Sequence, residues 1–159
     1  MTNFLNEKYT HLGATRFAKL APIICFLSDL LVLYYVTNQL LPRLLSPGIV
    51  KQMLSLRGIY LSMNDAKEVA QLFSHQMSFI LFCFLVFHFV IYTLAFLKKK
   101  CPMKYIHNYA FFAVIFTVLE IALFLYSQGN ISLLTFVSFW GYFFVWYGYK
   151  IFRKSELQN

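Results

Sequence analysis

The stretch MSFILFCFLVFHFVIYTLAFL, residues 77–97, is apolar throughout except for His88 and a few hydroxyl groups. A helix rises about 1.5 Å per residue and a bilayer's hydrocarbon core is about 30 Å thick, so a run of this length is enough to cross it. The run shows no period-two alternation, which argues against a strand of a membrane β-barrel. Three further runs, 20–41, 109–127 and 131–152, have the same character. The predicted fold is therefore an all-α integral membrane protein: four transmembrane helices in an up-down bundle, forming one membrane domain over residues 1–159.

Composition supports that reading. The chain is 60% hydrophobic and 20% aromatic, with a mean hydropathy of +0.62, and soluble domains sit nearer one-half apolar. The formal charge of +8 could suit nucleic acid, but the basic residues flank apolar runs and form no patch interleaved with stacking aromatics. No nucleic-acid partner is expected; the lipid bilayer is. Arg16 and Lys19 ahead of an apolar run resemble a signal peptide, yet the run continues to Leu41, contains Asp29 and lacks a small-x-small cleavage site. It reads as a retained first span. Cys25, Cys83 and Cys101 show no CxxC or pairing spacing, so neither a disulfide nor zinc is expected.

Basic residues set the orientation. Lys8, Arg16 and Lys19, then Lys98, Lys99, Lys100 and Lys104, then Lys150, Arg153 and Lys154 fall on one side of the four spans; Arg43, Lys51, Arg57 and Lys67 fall on the other. The positive-inside rule places both termini in the cytoplasm, in a bacterial inner membrane or a eukaryotic endomembrane. The SQGN link between the third and fourth spans requires a tight helical hairpin. The outer connection, residues 42–76, is expected to be helical. Pro42 and Pro47-Gly48 end the first helix, and Ile49, Met53, Leu56, Tyr60 and Met63 at helical spacing predict an interfacial helix. Asn64-Asp65 breaks it, and Asp65 with Glu68 reads as a capping box, so the second membrane helix starts near Asp65, above the bilayer. The N-terminal piece reads as a second interfacial helix. Trp140, Trp146, Tyr147 and Tyr149 near the ends of the last span fit an aromatic belt.

Three ionisable residues interrupt the spans: Asp29, His88 and Glu120. With this topology all three fall within roughly one helical turn of the midplane. No Lys or Arg lies at that depth, so either Asp29 and Glu120 are partly protonated, or one shares a proton with His88, or a bound cation supplies the missing charge. Helical spacing puts Ala110, Ala113 and Thr117 on the face of Glu120, and Pro22 and Cys25 on that of Asp29; Tyr92 follows His88 at i+4. The fourth helix offers Thr135, Ser138 and Tyr142. A polar core of Asp29, His88, Glu120, Ser138 and Tyr142 is the expected ligand- or proton-binding site. Any one of these residues could instead be a hydrogen bond that fixes helix packing, but three at one depth favour a site.

His75 and His88 lack second axial partners within the spans, which argues against haem, and no other cofactor or metal is expected. GxSxG, HExxH, Walker and CxxC motifs are absent, so no catalytic residue is assigned. Asp29 followed by LPRLLSP, His88 in the second span, Glu120 in the third and Trp140 or Trp146 in the fourth resemble, over the whole chain, the four-helix family of sterol isomerases and sigma-2-receptor-like proteins. That resemblance implies an enclosed pocket for a sterol or cationic amphiphile, with Glu120 and His88 handling a proton. The acid expected in that family's second helix is missing here, where Phe and Val flank His88.

Three readings follow. The first is a small transport or ligand-binding bundle whose midplane acids engage a proton, a cation or an amphiphilic amine. The second is a non-catalytic subunit that assembles with another membrane protein or with copies of itself. The third is a lipid- or sterol-modifying enzyme using His88 and Glu120. Nothing beyond the intramembrane acids suggests catalysis.

Overall fold

The structure is a computed structural model that describes residues 2–97, 100–126 and 132–156. Lys98, Lys99 and the SQGN link lie outside the described residues. The described chain is helical: α1 (Thr2–Leu12), α2 (Ala14–Tyr35), a π-helical turn (Val36–Leu40), α3 (Leu41–Leu44), α4 (Pro47–Ser55), α5 (Met63–Phe96), α6 (Lys100–Tyr126) and α7 (Leu133–Glu156). Among the described residues, three helical stretches are long and apolar enough to cross a membrane: Ala14–Leu44, Met63–Phe96 and Cys101–Leu123. The fourth expected span, 131–152, coincides with α7, which is not among the three. Its two tryptophans, Tyr142, Tyr147, Tyr149, Gly141 and Gly148 all lower its hydropathy.

By contacts the chain forms two compact units, Met1–Leu31 with Phe87–Asn159, and Val32–Val86. The core of the second unit holds Tyr35, Leu41, Val50, Ala66 and Ala70. Here Pro42 does not end the first long helix as expected. Leu41 N–H bonds to Val36 O, the signature of a π turn, and Pro42 follows directly after it within the continuing helical stretch. The Thr37 hydroxyl and the Asn38 amide donate to the Leu33 and Tyr34 carbonyls at 2.8 and 3.0 Å, which helps satisfy the backbone around the turn.

The interfacial helix expected from Ile49 to Met63 stops early. Gly58 adopts φ 79°, Gly58 N–H bonds to Ser55 O and Ile59 N–H bonds to Leu54 O, a Schellman termination that glycine enters without Cβ strain. Leu56 and Tyr60, expected on the apolar face, are both exposed. Asn64-Asp65 does not break a helix but lies in the first turn of α5. The capping box is Ser62 with Asp65, not Asp65 with Glu68: Asp65 N–H donates to the Ser62 hydroxyl at 3.2 Å, and Asp65 Oδ2 accepts from Ser62 N–H and Oγ–H at 3.3 and 2.8 Å. Ser62→Ala is expected to lower stability by about 1 kcal/mol in denaturant titration, the usual cost of a lost cap.

In the first unit α6 packs against α7, and α1 also contacts α7. Gly13 at φ 75° turns the chain from α1 into α2. Tyr9 is the bolt of α1: its hydroxyl donates to Phe144 O at 2.7 Å and its ring stacks on Phe144 at 5.0 Å. Burial raises the Tyr9 phenol above its ordinary pKa, so it stays neutral and keeps donating. Tyr9→Phe should cost about 1 kcal/mol through that one bond. The Tyr9 contribution is complete below about pH 10, the unfolded phenol's value, and fades at higher pH, so alkaline unfolding curves of the native and Tyr9→Phe proteins should converge.

Two glycines let helices approach closely. A Cβ at Gly141 would strike the Ser28 side chain on α2, and one at Gly148 would strike the rings of Phe17 and Tyr9. The third span also begins earlier than expected, because α6 starts at Lys100 and tolerates Pro102 in its first turn, where the proline nitrogen has no helical bond to make.

Candidate functional site

The first unit encloses a polar centre built on Asp29. Its helix carries Ala21, Pro22, Cys25 and Ser28 on the buried side, so Asp29 points the same way and is 6% exposed. On the part of α5 that belongs to this unit the buried positions are His88, Tyr92 and Ala95, one stripe at helical spacing in an otherwise largely exposed apolar run. On α6, Ile106 and Ala110 are buried and set the inward face shared by Tyr105 and Tyr109. On α7, Ser138, Tyr142 and Val145 are buried.

Four donors converge on the carboxylate. His88 Nδ1 lies 2.8 Å from Asp29 Oδ2, and the Tyr92 hydroxyl donates to the same oxygen at 2.5 Å. The Tyr109 and Tyr142 hydroxyls donate to Oδ1 at 2.7 and 2.6 Å. An ionised carboxylate offers about four lone-pair positions, so the group is filled by partners from three other helices. The far nitrogen of His88, Nε2, lies 3.0 Å from the hydroxyl of half-buried Tyr105. Tyr105 and Tyr109, one turn apart, have parallel rings with centroids 6.1 Å apart, and the Tyr109 ring meets His88 edge-on at 4.3 Å. His88 itself is fully buried.

Of the expected site residues, the structure gathers Asp29, His88 and Tyr142. The Asp29–His88 contact, at 2.8 Å, lies at hydrogen-bond distance. Ser138 is buried but turns back on its own helix, donating to Thr135 O at 3.0 Å. Glu120 does not join the centre and does not lie level with it. It is eleven residues beyond Tyr109 on α6, about 16 Å along the axis, where Oε1 accepts from the Thr135 hydroxyl at 3.4 Å. The expected common depth fails because the helix begins at Lys100, which shifts the part of α6 that meets Asp29 toward its N-terminus. The acid–base pairing of His88 with Glu120 fails for the same reason.

Tyr92, Tyr105 and Tyr109 were not among the expected site residues. Tyr92 is legible as the i+4 neighbour of His88, and Tyr105–Tyr109 as an i, i+4 tyrosine pair entering an apolar run, but tyrosine in a membrane span reads by default as aromatic belt or bulk. Beside the centre runs an apolar groove of about 200 Å³ lined by Pro22, Phe26, Phe89, Tyr92 and Phe96; the Tyr92 hydroxyl stays on Asp29. Among the described residues no cluster of three His, Cys, Asp or Glu could hold a metal ion.

No protein-family model matches the chain, and comparison with curated proteins and with solved structures finds no match.

Proposed function

We propose that this chain is a four-span integral membrane protein, both termini cytoplasmic, whose Asp29–His88–Tyr105 chain binds and exchanges a proton within the bilayer. The fourth span is α7, and the basic residues that flank the spans support the orientation. The observation that carries the proposal is the way His88 is held between two partners of different kinds. Nδ1 faces a carboxylate, which fixes that nitrogen as the donor, and Nε2 faces a hydroxyl that can either donate or accept. Neutral His88 accepts from Tyr105 at Nε2; protonated His88 donates to it. Both states keep every hydrogen bond, so a proton enters and leaves without orphaning a buried group.

A larger cation is disfavoured by the same geometry. With four donors on the carboxylate, an amine or metal ion must first displace a tyrosine or His88. A proton displaces nothing. The groups facing His88 are Asp29 from α2, Tyr92 from α5, Tyr105 and Tyr109 from α6, and Tyr142 beyond them on α7.

The test is thermal stability in detergent across about pH 5 to 8, where histidines change charge. The native protein should show a pH-dependent midpoint that His88→Gln and Asp29→Asn both flatten, while His75→Gln at an exposed position leaves it unchanged. An identical pH response in His88→Gln would sink the proposal. A second reading, a non-catalytic bundle in which Asp29 only ties helices together, draws on the involvement of four helices in one carboxylate. It predicts that both substitutions lower stability by the same amount at every pH.

A further inference from the structure

The exposed surface of α6 changes character along its length. Between Cys101 and Asn108 the exposed positions are Cys101, Lys104 and Asn108, whereas every exposed position from Phe111 to Leu123 is apolar. Lysine and asparagine need water or headgroups around them, and a face of Phe, Ile, Val and Leu suits hydrocarbon, so the border of the apolar layer crosses α6 between Asn108 and Phe111. Tyr105 lies on the polar side of that border. Building on the proton-binding reading above, we infer that the Asp29–His88 centre exchanges its proton with one side of the membrane only. That side is the one on which α6 begins, cytoplasmic in the orientation proposed above, and the Tyr105 hydroxyl is the port.

Burial within the centre points the same way. Asp29, His88, Tyr92 and Tyr142 are buried, while Tyr105 and Tyr109 are half-buried. Tyr105 is the one of that pair whose hydroxyl meets His88 Nε2, and its ring lies parallel to that of Tyr109 on the side nearer the start of the helix. It stands five residues, about 8 Å, from Lys100, where α6 starts, and 21 residues, about 32 Å, from Tyr126, where it ends. Toward that far end Thr117 on α6 and Ser138 on α7 carry buried hydroxyls. They donate to the carbonyls of Ala113 and Thr135 at 2.6 and 3.0 Å, so the proton of each is engaged within its own helix.

The transfer balances. An acid in the water beside Tyr105 gives a proton to the phenol oxygen while the phenol O–H passes its own proton to Nε2; one O–H bond forms, one breaks and an N–H bond forms. Tyr105 is neutral before and after, and His88 becomes an imidazolium whose charge faces the Asp29 carboxylate. The titratable groups around it are Asp29 on α2 with Cys25 one turn before it, Tyr92 on α5, Tyr109 on α6 and Tyr142 on α7, and the exposed Lys104 precedes Tyr105. Acidification on the side of Tyr105 therefore loads His88, and the proton leaves by the way it came. Such a centre reports the pH of one compartment and carries no proton across.

The experiment uses the full, histidine-labelled chain in sealed vesicles that hold its two orientations in unequal amounts. Cys101, a free and exposed thiol at the start of α6, reacts with a membrane-impermeant maleimide only in molecules whose α6 start faces out, which measures that fraction in a parallel sample carrying Cys83→Ser. The pH outside alone is then dropped from about 8 to about 5, across the range where histidine changes charge. The imidazolium band of His88 is read by time-resolved infrared difference spectroscopy, with His88→Gln as the subtraction. The responding fraction should equal the maleimide-reactive fraction, and a proton ionophore should then bring in the rest. Tyr105→Phe should slow the response about a hundredfold, the lower end of what a positioned proton-transfer group supplies. Glu120→Gln, on the far part of α6, should leave it unchanged. A response from every molecule before the ionophore is added, or from the maleimide-resistant fraction, would overturn the inference, as would a Tyr105→Phe response as fast as the native one. No His88 band even with the ionophore would overturn the proton-binding reading itself, so the two failures are told apart.

Discussion

Asp29→Ala is expected to destabilise the protein by about 3–5 kcal/mol, measured as the shift of the unfolding midpoint in mixed micelles titrated with denaturing detergent. The magnitude follows from what is left behind rather than from what is removed. Three tyrosine hydroxyls and His88 Nδ1 lose their shared acceptor at once. Each unsatisfied donor costs about 1–3 kcal/mol alone, but the four act as a unit and their costs do not add. Asp29→Asn should cost less, because its amide can donate to hydroxyls that rotate to accept. A loss below about 1 kcal/mol for Asp29→Ala would mean that the four contacts are not made together in the bilayer.

The second large effect is steric. Gly148→Val should cost about 3 kcal/mol, at the upper end for overpacking a close contact, because any side chain there meets the rings of Phe17 and Tyr9. Those rings in turn contact Phe144 and Phe152, so they cannot retreat without disturbing the seat of α1 on α7. Gly48→Ala is the matched control. Nothing lies within 4 Å of a Cβ at Gly48, and the change there should stay within about 0.5 kcal/mol. Equal effects at the two positions, read in the same detergent titration, would contradict the close approach at Gly148.

Hydrophobic run length made the helices legible, and the scarcity of polar residues within the runs made Asp29 and His88 legible. Both signals are local. The boundaries were harder, since they depend on caps of one or two residues: Gly58 ends α4 through its positive φ, and Ser62 rather than Asp65 leads the box that opens α5. Depth was harder still. Placing Glu120 level with Asp29 required the start of α6, and Lys104, His107 and Asn108 look like a connection although they are helical. Tyr92, Tyr105 and Tyr109 were missed for a chemical reason. A phenol suits lipid, interface or core alike, and only the position of an acid on another helix decides that Tyr92 and Tyr109 are donors.

Three donors from tyrosine and one from histidine also bear on why a lone acid persists in the middle of an apolar helix, where no Lys or Arg lies within two turns. Charge-assisted bonds replace hydration of the carboxylate without introducing a second permanent charge.

The measurement that tests this most directly is the ¹⁵N spectrum of histidine-labelled protein in lipid bilayers as a function of pH, with His88→Gln to assign the signal. The account predicts that His88 passes from a neutral ring protonated at Nδ1, with Nε2 accepting a hydrogen bond, to an imidazolium on acidification, and that Tyr105→Phe alters the Nε2 signal in both states. A His88 signal that keeps one protonation state over the whole range while the protein stays folded would contradict it.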